Sequence, residues 1–176
     1  MSRFVLAATL LALSSTASAA QATLLKLGAL EGAVTASVGA DEFSSTGFTD
    51  AVVFEAGTLP FQDTTPALVG SMALDSASCG GRGCARVLTV RFTVPTSYAG
   101  LPLLLDYSRY GGEIDTLRYD GVSIGNISVT EDENMATTFY LGSSTAGDHS
   151  LQIQVSAYMG GGHHYIDQLR LYAVTP

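Results

Sequence analysis

The chain has 176 residues, with 8 Lys plus Arg against 16 Asp plus Glu, a formal net charge of −8, 19 Gly, 2 Cys and no Trp. That length suits one modest domain. The acidic balance repels phosphate backbones and anionic lipid alike, which argues against nucleic acid or a membrane surface as a partner and favours neutral or cationic ligands.

The first segment reads as a targeting peptide. Arg3 precedes an apolar run at 4–13, and Ala17, Ser18 and Ala19 put small residues where a signal peptidase cuts. Residues 1–19 are therefore expected to be removed, and removing 19 of 176 leaves 157 residues as a single domain, 20–176, with enough chain for one core. No later run of 18 apolar residues and no lipid-accepting Cys follows, so the mature chain is expected to be secreted or periplasmic, without membrane insertion.

After the leader the pattern is loose at first. Residues 24–30, 34–38, 52–55 and 68–74 are possible strands, with a polar stretch at 41–50. A helix over 22–40 is the alternative, but Gly28, Gly32 and Gly39 would each cost a helix about 1 kcal/mol. Alternation becomes regular at 86–94, where Leu88, Val90, Phe92 and Val94 share one face and Pro95 ends the run. Residues 101–108 follow, with Leu101, Leu103, Leu105 and Tyr107 in phase. Next come 114–119, an Asp120-Gly121 hairpin signal and 122–130, read as one strand with a bulge near Gly125 and Asn126. Strands at 137–141, 151–158 (Leu151, Ile153, Val155 and Ala157 inward) and 165–174 complete the series. About ten short strands joined by turns predict an all-β fold, a two-sheet antiparallel β-sandwich of the jelly-roll kind.

From Val90 the order Val-Arg-Phe-Thr-Val-Pro, then Leu103-Leu-Leu, the 115–125 segment Asp-Thr-Leu-Arg-Tyr-Asp-Gly-Val-Ser-Ile-Gly, Thr138-Phe-Tyr-Leu, Ala146-Gly-Asp-His-Ser-Leu-Gln-Ile and Ile166-Asp-Gln-Leu-Arg-Leu resembles galactose-binding-like jelly-roll domains, many of which are carbohydrate-binding modules. The resemblance covers about residues 86–174 and consists of fold-pattern residues. Some modules of this type hold a structural calcium with a Glu of an early Phe-Glu-Ala segment and the Asp of the last strand. Here those match Glu55 and Asp167, with Gly57 standing where the family has a second early Glu. Asp167 is also in phase with Leu169 and Leu171, so it is expected to point inward, where a carboxylate needs a cation or several donors.

If consecutive strands from Arg86 onward are antiparallel, alternate connections share one end of the sandwich. One end then collects 79–84, 109–113, 131–135 and 159–164, and the other collects 95–100, 120–121 and 142–149. The first is richer in polar groups, so the expected ligand site there comprises Arg82, Arg109, Tyr110, Glu113, Glu131, Asn134, Tyr158, His163 and His164, with Asp132 and Glu133 beside them. The opposing reading is that these are ordinary solvated loop tips.

Cys79 and Cys84 suit a local disulfide in an oxidising compartment. Zinc would need further soft ligands than the three His residues supply. No nucleophile elbow, phosphate loop or His-Glu-x-x-His motif occurs. The expected function is thus a non-catalytic module that binds a glycan or cell-surface polysaccharide. The alternatives are a secreted structural or adhesion protein that adds a strand to a protein partner, and a small glycan hydrolase or lyase using the loop carboxylates.

Overall fold

The computed structural model describes residues 19–28, 49–63, 74–75, 84–110, 114–128, 134–157 and 163–175. Its strands are β1 (Ala20–Leu27), β2 (Thr49–Thr58), β3 (Phe61–Asp63), β4 (Leu74–Asp75), β5 (Cys84–Val94), β6 (Pro102–Tyr110), β7 (Ile114–Tyr119), β8 (Val122–Ser128), β9 (Asn134–Ser143), β10 (Gly147–Ala157) and β11 (His163–Thr175). They form two facing sheets, ordered β3-β1-β11-β6-β9, with β4 pairing β11, and β2-β5-β10-β7-β8. The expected sandwich is therefore present. The part of the 22–40 helix alternative that is described is strand, and the expected strand at 34–38 lies outside the described residues.

Alternation makes the core. Leu88, Val90, Phe92 and Val94 of β5, Leu103, Leu105 and Tyr107 of β6, and Leu151, Ile153 and Val155 of β10 are all buried, as their phase requires. Each buried Leu or Ile contributes about 1.5–3 kcal/mol relative to exposure. From β5 onward every pairing is antiparallel, whereas β2 with β5 and β1 with β3 are parallel. The difference from an all-antiparallel expectation lies in the early strands, which no tight hairpin joins to their partners. β1 reaches β3 by way of β2 in the other sheet, and such a crossover permits parallel pairing.

The Asp120-Gly121 turn between β7 and β8 has φ of 48° and 78°, the pair of positive values that a two-residue hairpin of right-handed twist needs. The register of β7 on β8 shifts between Leu117 and Arg118, opposite Gly125 and Ser123, close to the expected bulge. At the same end of the sandwich, a 3-10 turn at Thr96–Tyr98 precedes β6, and Gly100 N donates to Ser144 O at 2.8 Å while Ser144 N donates to Leu101 O at 2.8 Å. These bonds tie the β5–β6 connection to the β9–β10 connection.

Candidate functional site

The strand ends sort as their parity dictates. Cys84, Tyr110, Ile114, Ser128, Asn134, Ala157 and His163 lie at one pole, and Val94, Pro102, Tyr119, Val122, Ser143 and Gly147 at the other. At the first pole the backbone brings Tyr110 into register with both Asn134 of β9 and Tyr165 of β11, while His163 and His164 open β11 against Asp75 and Leu74. Arg82, Glu113, Glu131, Asp132, Glu133, Tyr158 and Cys79 lie outside the described residues. Cys84 is the first residue of β5.

Arg109 is a correction. It is not a loop-tip donor: β6 runs on to Tyr110, and two more steps of the alternation carry Arg109 inward behind Tyr107. Its fully buried guanidinium reaches across to the opposite sheet, where Nε lies 3.2 Å from Oδ2 of the fully buried Asp115 on β7. Tyr107 Oη donates to the same Asp115 oxygen at 2.6 Å. Burial, then the Asp115 charge and this hydrogen bond, push the Tyr107 phenol well above its ordinary value, with Arg109 opposing. The triad is a polar clasp between the sheets.

At Asp167 the backbone departs from the alternation read in the sequence. The β11–β6 register shifts between Ile166 and Gln168, and Ile166, Gln168 and Leu169 are all buried, so simple alternation is interrupted at Asp167. Glu55 lies on the other sheet, level through Arg91 with Ser150, whereas Asp167 lies near the level of Asp115 and Val155. Five residues of strand separate these levels, roughly 15 Å. With their backbones that far apart, Glu55 and Asp167 do not fit a calcium shared between them. Among the described residues no group of three or more His, Cys, Asp or Glu is placed to hold a metal.

The second pole carries a concavity built from described residues. A groove of about 430 Å³ crosses the outer face of β2, β5 and β10 and is bounded by Asp120 at the β7–β8 turn. Arg91 and Thr93 of β5 occupy its centre, Glu55 flanks them from β2, and Asp148 and Ser150 flank them from β10. Glu55 is set by a bulge: the β2–β5 register shifts between Glu55 and Gly57, and Gly57 has φ of 69° with open space where a Cβ would stand. Backbone conformation thus accounts for glycine at 57.

Polar contacts in the groove are partly satisfied. Arg91 Nη1 donates to Glu55 Oε1 at 3.0 Å, and Thr93 Oγ1 donates to Asp148 Oδ1 at 2.6 Å. Asp120 has both oxygens engaged, Oδ1 by Ser150 N at 2.8 Å and Oδ2 by His149 Nδ1 at 2.7 Å. Nε2 of His149 lies 2.9 Å from Thr145 O, and its ring stacks on Tyr119 at 5.5 Å with Phe92 alongside. Burial, then the Asp120 charge, drive the Tyr119 phenol far above its ordinary value. Glu55 Oε2 and Asp148 Oδ2 have no hydrogen-bond partner among the described residues.

A smaller groove of about 290 Å³ lies on the outer face of the other sheet between Asp106, Thr138 and Gln168. Its carboxylate is spoken for: Asp106 Oδ1 accepts from Thr138 Oγ1 at 2.8 Å and Oδ2 from Arg170 at 3.3 Å. Arg170 also donates to Thr23 and Gln21 and stacks over Tyr172, which leaves that surface internally satisfied.

The groove at the second pole was missed by the sequence reading. Parity places Asp120 and His149 at the second pole, whose loops hold fewer polar groups than those of the first. The groove's polar groups come from β2, β5 and β10, strands distant in sequence, so only the sheet order assembles them. The usable signal was Arg91 and Thr93 on the outward phase of the clearest strand.

No protein-family model matches the sequence, and no curated protein matches it. Among solved structures, a carbohydrate-binding module CBM36 in complex with calcium and xylotriose is similar at 13% identity, over 48% of this chain and 71% of that one, with a TM-score of 0.36. A CBM36-1 domain of a multidomain xylanase from the hindgut metagenome of Trinervitermes trinervoides is similar at 16% identity, over 47% and 68%, with a TM-score of 0.35. TmCBM61 in complex with beta-1,4-galactotriose is similar at 13% identity, over 51% of this chain and 64% of that one, with a TM-score of 0.42. At these identities the likeness is one of fold alone, of the same kind as the resemblance read in the sequence.

Proposed function

We propose that the protein is exported and binds a glycan without turning it over, holding it in the groove across β2, β5 and β10. The observation that carries this reading is the groove's row of outward polar groups. A planar guanidinium, two hydroxyls and two carboxylates project from three adjacent strands, and one oxygen of each carboxylate is open to a ligand. Sugar hydroxyls are donors and acceptors at once, and such a surface answers both roles. Export rests on the leader-like 1–19 segment, and β1 begins at Ala20, directly after the expected cleavage.

Glycan-array screening of the secreted protein is the test, with Arg91→Ala and Asp148→Asn as site variants. A hit weakened by either variant supports the reading. Sugar release from a polysaccharide overturns its non-catalytic part. Self-association with no hit on any glycan overturns it in favour of a structural role.

A second reading places the ligand at the first pole, favoured by the convergence there of strand ends bounding four loops. Its contacts would come from Arg82, Tyr110, Glu113, Glu131, Asn134, Tyr158, His163 and His164. Loss of a hit on Tyr110→Ala or Asn134→Ala, with Arg91→Ala silent, selects this pole instead. A Cys79–Cys84 disulfide would brace the loop before β5, and thiol labelling with and without reductant tests it.

A further inference from the structure

We propose that the groove selects glycans bearing free amino groups, such as polymers of de-N-acetylated hexosamine, over neutral and acidic ones. This rests on the glycan-binding reading of the same groove and adds a ligand class to it.

The balance of charge along the groove argues for an ammonium. Its lining holds three carboxylates, Glu55, Asp120 and Asp148, against one fixed cation, Arg91. Arg91 is matched by Glu55 at 3.0 Å, and Asp120 spends both oxygens on His149 and Ser150. Asp148 accepts from the Thr93 hydroxyl and forms no ion pair among the described residues. Asp148 Oδ2 and Glu55 Oε2 are both open acceptors, and an acceptor-only carboxylate gains most from a charged donor.

The arrangement also fits a chain better than a single sugar. Glu55 and Asp148 sit on β2 and β10, one strand to either side of β5, and they pair in register with Arg91 and Thr93 respectively. The two positions are therefore two strand spacings apart across the sheet and two residues apart along it, roughly 12 Å in all. An oligosaccharide laid across the strands meets one carboxylate and then the other, with Arg91, Thr93 and Ser150 left for hydroxyls in between. Uronates and sulfated sugars would bring their anions to an open carboxylate on a chain already at −8.

Calorimetric titration of the secreted protein with glucosamine trimer, N-acetylglucosamine trimer, a neutral xylose trimer and a galacturonate trimer tests the idea. Each exposed ion pair is worth up to about fivefold in affinity. The amino trimer should bind several-fold tighter than its acetylated twin. The preference should shrink with added salt and disappear in the Glu55→Gln/Asp148→Asn variant, which keeps both side-chain shapes. Equal affinity for the amino and acetylated trimers, or preference for the uronate, overturns the amino-sugar selectivity while leaving glycan binding intact. No binding of any trimer, joined to a blank array, overturns both.

Discussion

Replacing Asp115 with Ala should be the most destructive single change in the polar interior. The carboxylate is fully buried, and one of its oxygens serves both Arg109 Nε at 3.2 Å and Tyr107 Oη at 2.6 Å. Truncation removes the carboxylate that faces the buried Arg109 charge and takes the acceptor from a buried phenol. Breaking a buried pair from one side costs about 3–5 kcal/mol, and the lost phenol contact overlaps with that figure, so about 4 kcal/mol is expected. A chain of this size loses about 2–4 °C of melting temperature per kcal/mol, giving a drop of roughly 8–16 °C. With no Trp in the chain, urea unfolding followed by tyrosine fluorescence and far-UV circular dichroism measures it. The triple variant Tyr107→Phe/Arg109→Met/Asp115→Leu, which removes the three polar heads together, should regain most of the loss. Asp115→Ala within about 1 kcal/mol of the parent, or a triple variant weaker than the single one, refutes the clasp.

Three further outcomes follow from contacts already described. Tyr107, Tyr119 and Tyr172 all have folded-state values raised above the ordinary phenol. Their stabilisation is complete below about pH 10 and is lost as pH climbs toward the folded values, so stability should fall there by up to about 1.4 kcal/mol per pH unit for the fully buried Tyr107 and by less for the more solvated pair, and Tyr107→Phe should flatten the slope in alkaline urea titrations. Gly125→Ala should destabilise by about 1–3 kcal/mol, because a Cβ at Gly125 would stand 2.6 Å from Phe139 Cε1, and a shortened urea midpoint with unchanged m-value reads it. Because Glu55 and Asp167 lie toward opposite poles, a chelator should leave the melting temperature unchanged, and a drop reversed by added calcium would contradict their separation.

Sequence alternation revealed the sandwich from Arg86 onward because half-buried strands write their burial directly into a period of two. Leu88 to Val94 and Leu151 to Val155 have no other pattern to satisfy. The same rule, continued two residues beyond Tyr107, places Arg109 inside, and one step into β7 it places Asp115 opposite. An arginine beside Tyr-Gly-Gly has the composition of a turn, which masks that phase. Asp167 shows the converse limit, since a one-residue register shift cancels the phase that a sequence displays. The groove was harder still: β2 joins β5 in parallel after an intervening stretch of chain, and no local signal announces which strand will lie beside Arg91.

The pairing of β1 with β11 has a mechanical side. Ala20 stands opposite Thr175, whose hydroxyl donates to Ala20 O at 3.1 Å, and the two strands run antiparallel from there into the sheet. Tension applied between these two residues would load the ladder one rung at a time, like a zipper, instead of shearing all its rungs together. Held by both ends in a force spectrometer, the fold should therefore peel open at low load, while a handle moved to the far end of β11 should make the same sheet hold much harder.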